Sequence, residues 1–261
     1  MKLIKAMIHW VRSLLEQDPF GNYLLIKRFA ISVLGIVTYP RLAITNHLKV
    51  EGTEHLEGLP DNNVLFLSNH QTYFADVIAF YHIFSSVKWG FKNSIRFPVY
   101  LLAPRAKSYY IAASETMEKG GVLPKLFSYG GAIKVERSWR ANGANVKRTV
   151  DKGAEDKVNS ALQHGWVVSF PQGTTSPYAP IRKGTGFFIK KFQPIVIPVV
   201  INGFRRAFDK KGLFFKKRNT TLSVRFKPPV HIDYKASVEE IVKVIEREIE
   251  QEVIEDKNPP K

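Results

Sequence analysis

With 261 residues, 44% of them hydrophobic and 24% charged, the chain is long enough to bury a full core and too apolar to stay disordered. Its 39 Lys and Arg against 23 Asp and Glu leave a formal charge of +16, so a polyanionic partner is expected, either nucleic acid or the anionic face of a bilayer. The absence of cysteine excludes disulfides, thiolate metal sites and a cysteine acyl-enzyme.

In chain order, Leu3, Ile4, Met7, Ile8, Trp10, Val11, Leu14 and Leu15 recur at three- and four-residue steps with Lys2, Lys5 and Arg12 between them, the pattern of a basic amphipathic helix. His9, Arg12 and Glu16 interrupt the apolar run and no small-residue cleavage site follows, so the segment reads as retained. A second apolar segment, Tyr23 to Tyr39, is closed by Pro40. Residues 1–48 are therefore expected to form an amphipathic helical hairpin, either packed on the domain or docked on a membrane. The longest apolar stretch, Phe29 to Tyr39, is shorter than the ~20 residues a span requires, so the protein is expected either to lie on a membrane, with a peripheral or monotopic placement on the cytoplasmic face, or to stay soluble.

Residues 49–261 read as one α/β domain with a central, mainly parallel or mixed sheet flanked by helices. Strands are predicted at Val64–Ser68, Ala132–Glu136, Trp166–Phe170, Ile195–Ile201 and Leu222–Phe226, and helices at Asp76–Ser86 and Arg148–Gln163. Gly165 stands where a left-handed residue would close the second of these helices. Ser237 and Glu240 form a capping-box signature for a last helix burying Val238, Ile241, Val242, Ile245 and Ile249. Between Arg182 and Arg218 eleven bases face one acid, Asp209, with seven Phe interleaved. That mixture suits a lipid headgroup interface, and equally a single-stranded nucleic acid.

Asn69-His70 leaves a buried-looking strand directly and Asp76 opens the next helix, which brings both side chains to the carboxyl edge of the sheet where open α/β folds place ligands. A carboxylate on one imidazole nitrogen fixes the tautomer and frees the other to take a proton, and an ordinary imidazole pKa of about 6.5 suits such work. Taken alone, the pair equally describes a helix-capping Asp beside a hydrogen-bonded His. Phe170 to Ser176, with Gln172, Gly173, Thr174 and Thr175, leaves another strand in the same way and is rich in donors. Gly131 to Arg137 begins at a double Gly and ends on an Arg able to bind phosphate or carboxylate bidentately. Each also fits a plain turn or edge strand.

Together, in this order, the segments resemble the glycerolipid acyltransferase family, whose members include 1-acylglycerol-3-phosphate acyltransferases. The blocks that carry the resemblance are Asn69, His70 and Asp76; Gly131 to Arg137; Phe170 to Ser176; and Val196 to Val199. Three departures stand out. Five residues rather than the family's four separate His70 from Asp76, Gln172 replaces a Glu, and Thr175 replaces a frequent Arg. Lys183 could restore a cation.

The resemblance implies acyl transfer from acyl-CoA or acyl-carrier protein to a lysolipid hydroxyl, with His70 as general base, Asp76 holding it, and no metal or cofactor. Acceptor contacts would come from Asn69, Gly131, Arg137, Gln172, Gly173, Thr174, Thr175 and Lys183. The first acceptor expected is 1-acylglycerol-3-phosphate, giving phosphatidate; the second is a lyso-aminolipid of ornithine or glycine type. Membrane lipids and, where it is the acyl donor, acyl-carrier protein are the expected partners, and nucleic acid is not. The non-enzyme alternative is a basic membrane- or nucleic-acid-binding protein. The remaining histidines, His9, His47, His55, His82, His164 and His231, show no ligand spacing.

Overall fold

The computed structural model describes residues 16–105, 107–117, 121–136, 140–141, 144–145 and 152–252. Seven strands form one mixed sheet: β1 (His47–Glu51), β2 (Val64–Ser68), β3 (Ser108–Ala113), β4 (Ala132–Val135), β7 (Trp166–Ser169), β8 (Ile195–Asn202) and β9 (Thr221–Phe226), in the order β1-β9-β8-β2-β7-β3-β4. A two-residue hairpin, β5 (Arg140–Ala141) with β6 (Ala144–Asn145), stands apart. The five strands from β8 to β4 are mutually parallel, and β9 runs antiparallel to β8. β2 is buried throughout, and apolar from Val64 to Leu67, because it lies between two parallel neighbours and is covered on both faces.

The two-residue period of the strands sorts their side chains into two layers. Val64 and Phe66 of β2 join Trp166, Val168, Ile197 and Val199 on one face, under helices α1 (Leu24–Tyr39) and α2 (Ala75–Lys88). Leu65 and Leu67 join Val167 and Val196 on the other, under α5 (Lys152–His164), α6 (Lys183–Phe192) and α8 (Val238–Glu248). Short helices α3 (Ser114–Met117), α4 (Val122–Tyr129) and α7 (Phe204–Ala207) fill connections. The Ser237–Glu240 capping box forms as expected.

Several sequence expectations change here. The first amphipathic segment, Met1 to Leu15, lies outside the described residues. The second is α1, but Pro40 does not end it. The coil widens into one π-helical turn, Pro40–Ile44, in which Thr45 N donates to Pro40 O. A wider turn accommodates a residue that has no N–H and whose ring crowds the preceding turn. The expected boundary at residue 48 falls inside β1, and Ile31, Leu34 and Leu42 join the core, so α1 is part of the domain's packing. Gly165 is not left-handed. It is required because a Cβ there would stand 2.1 Å from Lys107 O, whose carbonyl accepts from Trp166 N. Of the interleaved aromatics, Phe204 and Phe208 are core residues and Phe188, Phe192 and Phe215 pack against it, so packing accounts for most of that pattern.

One buried cation sits in this frame. Lys27 of α1 is fully enclosed, its Nζ 3.3 Å above the Tyr109 ring and without a hydrogen-bond partner. Desolvation pushes its pKa down to about 7, outweighing the opposing Asp18 carboxylate. Between that value and the unfolded one near 10.5, the unfolded chain holds the extra proton, so stability should rise with pH across that window and be lowest below it. Lys27→Met should remove the slope and stabilise the fold at pH 7 by about 2 kcal/mol or more. Denaturant unfolding of both proteins between pH 7 and 9 checks this; an unchanged slope contradicts it.

Candidate active site

His70 and Asp76 emerge at the carboxyl ends of parallel strands, where β2 turns into α2. Nδ1 of His70 lies 2.9 Å from Oδ2 of Asp76, which is fully buried. A buried carboxylate is tolerated only when its lone pairs are satisfied. Gln71 N and Thr72 N also donate to Oδ2 at 2.6 and 3.1 Å, and Thr72 Oγ1 donates to Oδ1 at 2.7 Å. With the carboxylate accepting throughout, Nδ1 carries the imidazole proton and Nε2 is the nitrogen left to accept one. The ring is held from a second side by Phe170, stacked at 3.9 Å between centroids and 20° between planes.

The extra residue between His70 and Asp76 is absorbed by the loop rather than by α2. Tyr73 N donates to Lys210 O and Phe74 N to Lys211 O, so the longer loop finds backbone partners in the β8–β9 connection. Gly212, at φ +80°, makes this approach possible: a Cβ there would stand 2.6 Å from Ala75 N.

His70 lines a cavity of about 440 Å³. Its walls are largely apolar, from Ile111, Ala112 and Ala113 of β3, Val135 of β4, and Phe187 and Phe188 of α6. Polar groups collect at Ser169, Glu136, Glu155, Arg182 and Lys183. A concave apolar chamber with a few convergent polar groups is the usual form of a small-molecule site. Among the described residues, no group of three or more His, Asp or Glu is placed to hold a metal ion.

The other expected site residues divide. Gly173 lines the cavity, and so does Lys183, whose ammonium meets Glu239 of α8 at 2.5 Å. Both partners of that pair are exposed, so it contributes little. Asn69 faces inward instead: its amide donates to Ile201 O and accepts from Ile201 N, which ties the end of β2 to β8. Gln172 is also turned into the protein, donating to Ala179 O and Gln251 Oε1. Two acceptors there demand a donor, which accounts for an amide where the resemblance expects a carboxylate. Thr174 closes its own turn on Ser176, and buried Thr175 offers its carbonyl to Arg205 Nη2. Gly131 is not at the site, because the four residues of β4 separate it from the carboxyl edge and it packs instead against Ser108 and Lys27. Arg137 lies outside the described residues.

Sequence reasoning missed Gln71, Thr72 and Arg205. Gln71 links the His70 loop to Ile201 O and accepts from Arg205 N, which no local pattern announces. Thr72 had a signal, a hydroxyl four residues before a helix-opening Asp. His82 and His164 are structural. His82 bridges Thr38 and Tyr100, and burial pushes its pKa down to about 3; His164 meets Tyr109 OH, and burial lowers its pKa as well.

Comparison with known proteins bears on the fold and the family. The fold is similar to the crystal structure of the 1-acyl-sn-glycerophosphate acyltransferase PlsC from Thermotoga maritima, with a TM-score of 0.52 at 20% identity, over 98% of this chain and 90% of that one. At that identity the likeness is one of fold. Among curated proteins none matches the chain significantly. The family model described as Acyltransferase matches residues 47–202. With more than half of its length inside that match, His70 and Asp76 included, the chain belongs to the acyltransferase family.

Proposed function

We propose that the protein transfers a fatty acyl group from the thioester of acyl-CoA or acyl-carrier protein to the hydroxyl of a lysolipid, first of all 1-acylglycerol-3-phosphate. The observation that carries this reading is the His70–Asp76 pair, with Nδ1 committed to the carboxylate, beside a chamber of about 440 Å³ whose walls suit an acyl chain. The hydroxyl proton passes to Nε2 as the oxygen bonds to the thioester carbonyl carbon. The C–S bond then breaks and the leaving thiolate takes the proton back. Asp76 holds the imidazole and stabilises its cation, and no covalent acyl-enzyme is needed.

Docking on a membrane follows from where such an acceptor resides. α1 turns Leu25, Ile26, Phe29, Ile36 and Val37 outward while Ala30, Ile31 and Leu34 on its other side are in the core, so both sides are predominantly apolar. Among the described residues no helix is long and apolar enough to cross a membrane. A helix lying in the interface is consistent with both facts.

The lyso-aminolipid acceptor is the second reading, favoured by Thr175 in the place of the family's frequent Arg, which removes a cation that a phosphate would use. Arg137 separates the two. If the acceptor is a phosphate monoester held by Arg137, Arg137→Ala should raise the apparent acceptor KM by about tenfold or more and leave the thioester's parameters unchanged. Steady-state kinetics with lysophosphatidate and with lyso-aminolipids check this. Efficient acylation of a lyso-aminolipid, with no transfer to lysophosphatidate across several chain lengths, would promote the second acceptor.

A further inference from the structure

Between β8 and β9 the chain leaves the sheet for residues Phe204–Arg218, of which seven are Lys or Arg and one, Asp209, is acidic. Asp209 is spent internally, accepting from Leu213 N and Phe214 N to close the turn. Arg206, Lys210, Lys211, Lys216, Lys217 and Arg218 are all exposed, so the positive charge points outward. The aromatics divide sharply. Phe204 and Phe208 are buried and Phe215 packs on the core, whereas Phe214, at the tip, is 71% exposed. Among the described residues nothing covers it.

We propose that this excursion is a second docking surface for an anionic bilayer, with Phe214 entering the headgroup layer and the surrounding bases meeting lipid phosphates. An outward aromatic ringed by cations is the composition of an interfacial anchor, in which apolar insertion and charge attraction add. The surface is also continuous with α1. Arg41, in the turn that follows α1, donates to Leu213 O and lies over the Phe215 ring, and Ile44 beside it is 65% exposed. That continuity with an exposed apolar helix favours a bilayer over an acidic protein as the occupant.

The excursion also holds the catalytic loop. The carbonyls of Lys210 and Lys211 accept from Tyr73 N and Phe74 N, immediately before Asp76, so a bilayer that fixes the excursion fixes the site relative to the lipid surface. This consequence rests on the acyl-transfer reading; the docking itself does not.

The test uses the full chain and vesicles of phosphatidylcholine with or without phosphatidylglycerol. Lys217→Gln with Arg218→Gln should weaken binding to anionic vesicles by about tenfold to thirtyfold and leave neutral vesicles unaffected. Phe214→Trp should add an indole emission that brominated acyl chains quench only when anionic lipid is present. Turnover on a short-chain acceptor below its aggregation limit should stay at the wild-type level in the double variant. Unchanged binding after loss of both bases, or an added Trp that brominated lipid does not quench, overturns the proposal, as does displacement of the protein from vesicles into a complex with an acidic carrier protein. If neither protein turns over, the acyl-transfer reading fails while the vesicle measurements still decide this one.

Discussion

Replacing His70 by alanine is expected to lower acyl transfer by about 10²- to 10⁴-fold, the range a positioned general base supplies. The alcohol is a poor nucleophile until its proton has somewhere to go, and Nε2 is the group placed to take it beside the cavity. Folding should survive. The ring lies at the surface of the site, its side chain 13% exposed, and the loop around it is anchored by other groups: Asn69 on Ile201, Gln71 on Arg205, and Tyr73 and Phe74 on the β8–β9 connection. An unshifted melting curve with turnover reduced to near background is the expected pair of results. Near-normal turnover in a preparation free of contaminating enzyme would remove the mechanism.

Asp76→Ala should be as damaging to activity and, unlike the His70 change, damaging to the fold. Oδ1 and Oδ2 together accept from His70, Gln71 N, Thr72 N and Thr72 Oγ1, and the side chain is fully buried. Removing it frees the imidazole to rotate and leaves backbone N–H groups without acceptors, at a cost of about 1–3 kcal/mol for each that stays dry. The expected result is a loss of activity of about 10² or more together with a loss of stability of about 2–4 kcal/mol. Asp76→Asn should be milder in stability, because one oxygen still accepts. Thr72→Val separates the contributions, since it removes only the bond to Oδ1 and should lower stability with a small effect on turnover. Wild-type melting and wild-type turnover in Asp76→Ala would show that the carboxylate neither holds the loop nor orients the base.

The sheet and the pair were legible because both are written locally. Residues 64–67 form a continuous apolar run, as a strand between two parallel neighbours must, and Asn69-His70 follows the strand directly. Ser237 and Glu240 announce a cap within four residues. What stayed hidden depends on distant contacts. β1 reads His-Leu-Lys-Val-Glu, too polar to declare itself, and becomes a strand at the sheet's edge by pairing with β9 nearly 175 residues later in the chain. α6 opens Lys-Gly-Thr-Gly, a poor helix start by propensity, and forms against α8. At the site the same division holds. His70 and Asp76 could be named from spacing, but the inward turn of Asn69 and Gln172 depends on Ile201, Ala179 and Gln251, which nothing near them in sequence specifies. Gly131 lies away from the cavity because it precedes β4, at the opposite end of that strand from the carboxyl edge where His70 stands.

The central claim, that His70 drives transfer of an acyl group to a lysolipid hydroxyl, is tested most directly by following both halves of a labelled acyl thioester. Purified protein is supplied with the thioester and vesicle-borne lysophosphatidate, and the lipid products are identified by mass. The account predicts phosphatidate in step with thiol released, one acyl ester for each thioester consumed, and loss of both together in His70→Ala. Release of thiol with free fatty acid and no new lipid ester, or equal phosphatidate formation by the His70 variant, would contradict it.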